Sequence, residues 1–267
     1  MLNLNNLKRL LIENQILVIL LGIILGLVFP GKLTALNTYS TQLLILVFFF
    51  SSLRLSLGEV VSYAKDWRML IATSVYMLIV IPFVLWFPTS FISSEWSVAL
   101  LILGAVPTGM TIALMAEFFG GKTSLALVIT TVTSLLAPFT IPLVTKIAVG
   151  QSVDINALQM FWSLFLTIVA PFILAMLVKR AVPKQIIKYD GLWRNLSIIA
   201  FGILITGIVA STQSGGGITF TMRDAWMMVV SMALLGFMTW VAYYIVWWRP
   251  KADRMTIALC MLYPVSY

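Results

Sequence analysis

The 267-residue chain contains no histidine and one cysteine, Cys260. The first absence removes the commonest general base, the Ser-His and Cys-His dyads, and every histidine-based metal site. The second removes an intrachain disulfide and any cysteine metal cluster. Charge is scarce too: 10% of residues are charged, against roughly 25% in an ordinary soluble domain. With 61% hydrophobic residues there is too little polar surface to cover a water-soluble globule. That excludes a soluble enzyme, a nucleic-acid binder and a disordered protein. The apolar runs are continuous rather than alternating, which excludes a bacterial-type β-barrel. What is left is an all-α polytopic membrane protein.

A membrane-crossing helix needs ~20 mostly apolar residues. The runs read as nine spans: Leu10–Phe29, Tyr39–Leu53, Met69–Phe87, Ser97–Phe119, Ser124–Val149, Ile155–Val178, Leu192–Ala210, Ala225–Trp248, and a stub from Met255 to Tyr263. Lys8 and Arg9 precede the first run as in a signal peptide, but no small-x-small cleavage site follows it, so it is expected to be retained. Lysine and arginine sort by side under strict alternation. Fourteen lie on the side of the N-terminus, and Lys32, Lys146 and Arg223 lie opposite. Cytoplasmic loops carry such an excess, so the N-terminus is expected in the cytoplasm, with the protein in the cell membrane. The longest loop, about Lys179 to Gly191, is basic. Orientation alone accounts for it; contact with acidic lipid headgroups is the alternative.

Three places depart from plain apolar helix. In the fourth run Pro107 lies near the midplane, flanked by Gly104 and Gly109, with Thr108 and Thr111 adding hydroxyls. Proline removes a backbone donor and clashes with the carbonyl four residues back. The result is either a kink repaired by neighbouring helices or a true break, which is tolerated only against protein or a wet cavity. In the fifth run Thr130, Thr133 and Ser134 share one helical face. Such a face serves helix–helix hydrogen bonding or supplies oxygens to a hard cation. In the stub, Pro264 is the tenth residue after Arg254, as Pro107 is the eleventh from Ser97. Interruptions at matching positions of two halves point to a transporter built from inverted repeats. Five spans per repeat give residues 10–149 as the first repeat and 155–267 as a second, incomplete one.

The stretch LGAVPTGMTIALMAEFFGGKTSLALVITTVTSLLAPFTIP, residues 103–142, resembles the bile acid:sodium symporter family. The shared features are Pro-x-Gly in mid-span, the Gly120-Gly121 turn, and the TTVTSLLAP run into Pro138 and Pro142; LILVFFFSSLRLSL at 43–57 is similar to the family's second span. The resemblance implies ten helices in two inverted repeats. They form a panel (spans one, two, six, seven) and a core (three to five, eight to ten), with broken helices four and nine crossing at the midplane. It also implies inward transport of an organic anion with sodium. Two departures stand out: Ile112-Ala113 where family members with a well-defined sodium site carry Ser-Asn, and Ala126 where the family has a serine. The chain stops before the second half of span nine, so some ~40 further apolar residues are expected downstream.

The expected function is secondary transport of a small organic anion, sodium-coupled, with no enzymatic activity, no nucleic-acid partner and no cofactor beyond a coupling sodium ion. A half-helix starting near Gly109 turns about +0.5 of dipole charge toward the midplane and holds a carboxylate without a basic side chain. Thr108, Gly109, Met110 and Thr111 are the expected anion site, and Thr130, Thr133 and Ser134 the expected sodium oxygens. The alternatives are a sodium-independent carrier and a non-transporting remnant or scaffold of the same fold. By this reading Gly109→Val abolishes binding, while Gly22→Val in span one costs much less.

Overall fold

The computed structural model describes residues 15–55, 66–107, 112, 116, 119–150, 156–216 and 221–262. These residues form helices and the turns joining them, with no strand among them. Six helices are long and apolar enough to cross a membrane: α2 (Pro30–Leu53), α3 (Trp67–Ser90), α5 (Thr123–Val149), α6 (Ala157–Ala181), α8 (Asp190–Ser214) and α9 (Met222–Ile245). Shorter pieces are α1 (Gln15–Val28), α4 (Ser94–Ala105), α7 (Pro183–Lys188) and α10 (Lys251–Leu262). The chain is a polytopic all-α membrane protein.

Two boundaries differ from the hydropathy reading. The second span begins at Pro30 rather than Tyr39, because proline suits a first helical turn, where its missing N–H has no partner to lose. Its stretch Thr34–Tyr39 is wound as a tighter 3-10 helix. The first helical piece of the fourth run ends at Ala105, and beyond Pro107 the described Ile112 and Ala116 are again helical. Wide π turns interrupt α3 at Tyr76–Val80 and α6 at Phe165–Val169. Each lies just before a proline, Pro82 or Pro171. The proline ring displaces the carbonyl four residues back, and the extra residue of a π turn absorbs the lost bond.

Two compact units result, each drawn from both halves of the sequence: Met1–Leu55 with Leu166–Phe220, and Ser56–Phe165 with Thr221–Tyr267. This is the panel and core grouping that the resemblance implies, except that α6 is divided at its π turn, its first turns belonging to the second unit.

In the first unit α8 packs on α1 and α2. Close approach to α1 rests on missing side chains. A Cβ on Gly22 would lie 2.9 Å from the Gly202 carbonyl oxygen, and one on Gly26 2.9 Å from that of Thr206. Small residues at i and i+4 let membrane helices meet backbone to backbone, where van der Waals contact replaces the absent hydrophobic drive. A side chain on Gly22 would therefore collide with α8, a cost in packing separate from any effect on binding. Along α2 and α8 hydroxyls pair instead: Ser51 with Ser197 at 2.7 Å and Thr34 with Ser214 at 2.8 Å, while Asn37 Nδ2 donates to Ser211 Oγ at 3.1 Å.

In the second unit α5 is the hub, packed against α3, α4, the first turns of α6, and α10. Its centre is enclosed, as Val128–Thr131 and Thr133–Ser134 are all buried. One apolar cluster joins Met77, Leu78 and Ile81 of α3, Leu125 and Ile129 of α5, Leu235 and Met238 of α9, and Ile257 and Met261 of α10. Tyr76 Oη donates to the Met238 carbonyl at 3.0 Å and ties α3 to α9.

Candidate functional site: a helix break beside a hydroxyl face

At twelve residues α4 is about 18 Å long, too short to cross a bilayer core of ~30 Å. Val106 turns extended, with φ −66° and ψ 130°, and Pro107 stands outside any helix. The ring of a proline excludes the α region for the residue before it, so the chain leaves the helix at Val106. The last turn is held in place from the side. A Cβ on Gly104 would come within 2.8 Å of Leu85 Cδ1 and 3.1 Å of Pro82 Cα, so α4 ends pressed on α3. Thr108, Gly109, Met110, Thr111 and Pro264 lie outside the described residues.

The three hydroxyls expected on span five are all buried: Thr130 at 2%, Thr133 at 0% and Ser134 at 7% exposure. They are not equivalent. Thr133 Oγ1 donates to the Ile129 carbonyl at 2.8 Å, with the Thr130 carbonyl at 3.2 Å. Its proton is committed to its own helix, although its lone pairs remain. Thr131 does the same toward Leu127, at 2.7 Å. Thr130 Oγ1 is enclosed and has no hydrogen-bond partner among the described residues. A buried hydroxyl left unmade costs roughly 1–3 kcal/mol, so such an atom calls for an explanation. A bound cation or water is the chemistry that satisfies it.

Thr73 of α3 is a second such hydroxyl, 3% exposed and without a partner among the described residues. It lies on a helix that packs against α5. Sequence reasoning passed over it because one threonine in an apolar run carries no periodic signal. The departures from the family pattern are also placed. Ile112 (1% exposed) and Ala126 (0%) both sit inside the apolar cluster. Neither position offers an oxygen from its side chain.

A further arrangement gathers residues that charge counting had sorted only by side. Asp66 caps α3, accepting from the Met69 N–H at 3.4 Å, and pairs with Arg249 at 2.6 Å. Arg249 reaches Asp253 at 3.5 Å, and the Lys122 ammonium forms an ion pair with Asp253 at 2.7 Å. The Lys122 N–H donates to Thr256 Oγ1 at 2.7 Å. Asp253 is 2% exposed and faces two cations, so removing either partner would leave a buried charge poorly compensated. These four charges bind the first turns of α3 and α10 to the residue that opens α5. Only folding brings Lys122 beside Asp253.

The sequence model of the SBF-like CPA transporter family matches residues 13–262, and the chain belongs to that family. It is 24% identical over 194 residues to a Bacillus subtilis (strain 168) protein described as an uncharacterized sodium-dependent transporter, YocS. The match takes in 71% of this chain and 60% of the relative, so the chain spans less than two thirds of the length of that protein.

Proposed function

We propose that this member of the SBF-like CPA transporter family is a secondary carrier of a small organic anion, with sodium as its coupling ion. The observation that carries the reading is the end of α4 at Ala105, followed by an extended Val106 and a non-helical Pro107. A helix that stops inside a membrane domain leaves backbone donors and acceptors to be satisfied by something other than lipid. Past the break, the N–H groups of Thr108, Gly109, Met110 and Thr111 are the anion's partners in this proposal. The enclosed Thr130 hydroxyl, with the lone pairs of Thr133 and Ser134, supplies oxygens to the cation. Family membership supports transport, and the sodium dependence in the relative's description supports the coupling ion.

Ile112 and Ala126 favour a second reading, a sodium-independent carrier of the same anion. Proteoliposome uptake of a panel of carboxylates and sulfonates, with and without a sodium gradient, separates the two. Uptake that needs the gradient supports symport. Uptake indifferent to sodium supports the second reading, and no uptake of any anion overturns both. The proposed orientation, N-terminus and Lys184 in the cytoplasm of a cell-membrane protein, rests on the charge asymmetry. Single cysteines at Lys184 and Asp154 then label from opposite faces.

A further inference from the structure

Cations are unevenly spread over the first unit. Its described residues hold seven, against one carboxylate, Asp190. Six of the seven, Arg54, Lys179, Arg180, Lys184, Lys188 and Arg194, fall where α2 and α6 end and α8 begins. The structure brings these ends together: Arg54 Nε meets Asp190 Oδ1 at 3.0 Å, and Lys179 Nζ donates to the Leu55 carbonyl at 2.5 Å. Asp190 is thus already paired, and Arg180, Lys184 and Lys188 are exposed with no carboxylate of this unit left for them.

The six-residue α7 sits among these charges. It carries an apolar residue on each side. Ile186 is 4% exposed and locked into a cluster with Leu53 and Ala175, which anchors the helix to the unit. Ile187 is 73% exposed, with Tyr189, Leu192 and Val182 open around it. Large apolar side chains interleaved with lysines are costly in water but fit the headgroup level of a bilayer. There the apolar groups enter the acyl boundary and the ammonium groups stay with the phosphates.

We infer that this end of the first unit is a binding surface for anionic phospholipid, with α7 lying in the headgroup layer and Arg180, Lys184 and Lys188 on the phosphates. The inference holds whichever face of the membrane this end occupies, and it is independent of the anion site proposed for the second unit. Each lysine or arginine near an anionic surface contributes ~1 kcal/mol, and the attraction fades within a Debye length. Three exposed cations therefore give a preference of about a hundredfold over a zwitterionic lipid at low salt.

The test is native mass spectrometry of the full chain released from micelles doped with phosphatidylglycerol or phosphatidylcholine, with thermal stability followed in parallel. Two double variants remove equal charge: Lys184→Gln with Lys188→Gln, and Lys32→Gln with Lys146→Gln. All four lysines are exposed, so folding is not at stake. Phosphatidylglycerol is expected to be retained at least tenfold over phosphatidylcholine and to raise Tm, with the preference lost in the first double variant and kept in the second. Equal retention of both lipids, equal loss in both variants, or no loss in either overturns the inference. Inorganic phosphate raising Tm as much as phosphatidylglycerol also overturns it, and leaves a free-anion site instead.

Discussion

The two units solve the problem of packing helices in lipid differently. The first relies on close backbone approach, with Gly22 and Gly26 of α1 against the carbonyls of Gly202 and Thr206 in α8. Several of its hydroxyls pair with one another, as Ser51 does with Ser197 and Thr34 with Ser214. The second buries more polar side chains. One of its helices is cut at Val106, Asp253 is a buried carboxylate, and Thr130 and Thr73 enclose hydroxyls with no described partner. Interior polar groups in a membrane are expensive, so they persist where they are used. Close backbone fit marks the first unit, and a broken helix with a buried carboxylate marks the second. In the function proposed above, the first unit is the scaffold and the second holds the transport site.

The contrast fails or sharpens on substitutions in each unit. The largest effect is expected from Gly109→Val, which puts a branched side chain where the proposed anion approaches the backbone. Anion binding by calorimetry on a folded variant should fall below detection, and unchanged affinity would move the site elsewhere. Gly26→Val belongs to the other unit. Its Cβ would meet Thr206 O and Val209 Cβ at 2.9 Å, so overpacking should cost about 1–3 kcal/mol of unfolding free energy. Affinity in the folded remainder should hold. A variant that loses affinity but not stability would erase the division of labour.

Thr130→Val gives a change of sign. Removing an enclosed, unpartnered hydroxyl should raise stability by about 1 kcal/mol in sodium-free buffer. Any sodium-induced rise in Tm should vanish with it. Destabilisation without sodium would mean that the hydroxyl already has a protein partner. The smallest effect is expected at Arg54→Gln, in a pair whose side chains are 38% and 53% exposed. Surface pairs of that kind contribute about 0–1 kcal/mol and less in high salt. A loss above about 2 kcal/mol in a salt-insensitive measurement would show the pair to be structural.

Much of this was legible without coordinates. Continuous apolar runs and a scarcity of charge are properties of single segments, and they suffice for helical membrane spans. Pro107 acts on its own neighbours, so an irregularity there followed from chain chemistry, though not the choice between kink and break; the shared face of Thr130, Thr133 and Ser134 needs only the helical period. Hydropathy alone runs through Pro107 unbroken, because apolar residues continue on both sides and cannot report where the backbone leaves the helix. Gly22 gave no sign of its tight packing, since a glycine's space is filled by whatever lies opposite, here Gly202, 180 positions away. Nor did Lys122 announce Asp253. The segment-level facts (which stretches cross, where one becomes irregular, which face bears oxygen) come from local sterics and solvation. Which hydroxyl is left unpaired, which charges are desolvated and which halves of the chain share a unit depend on contacts between remote residues, and those only the tertiary structure decided.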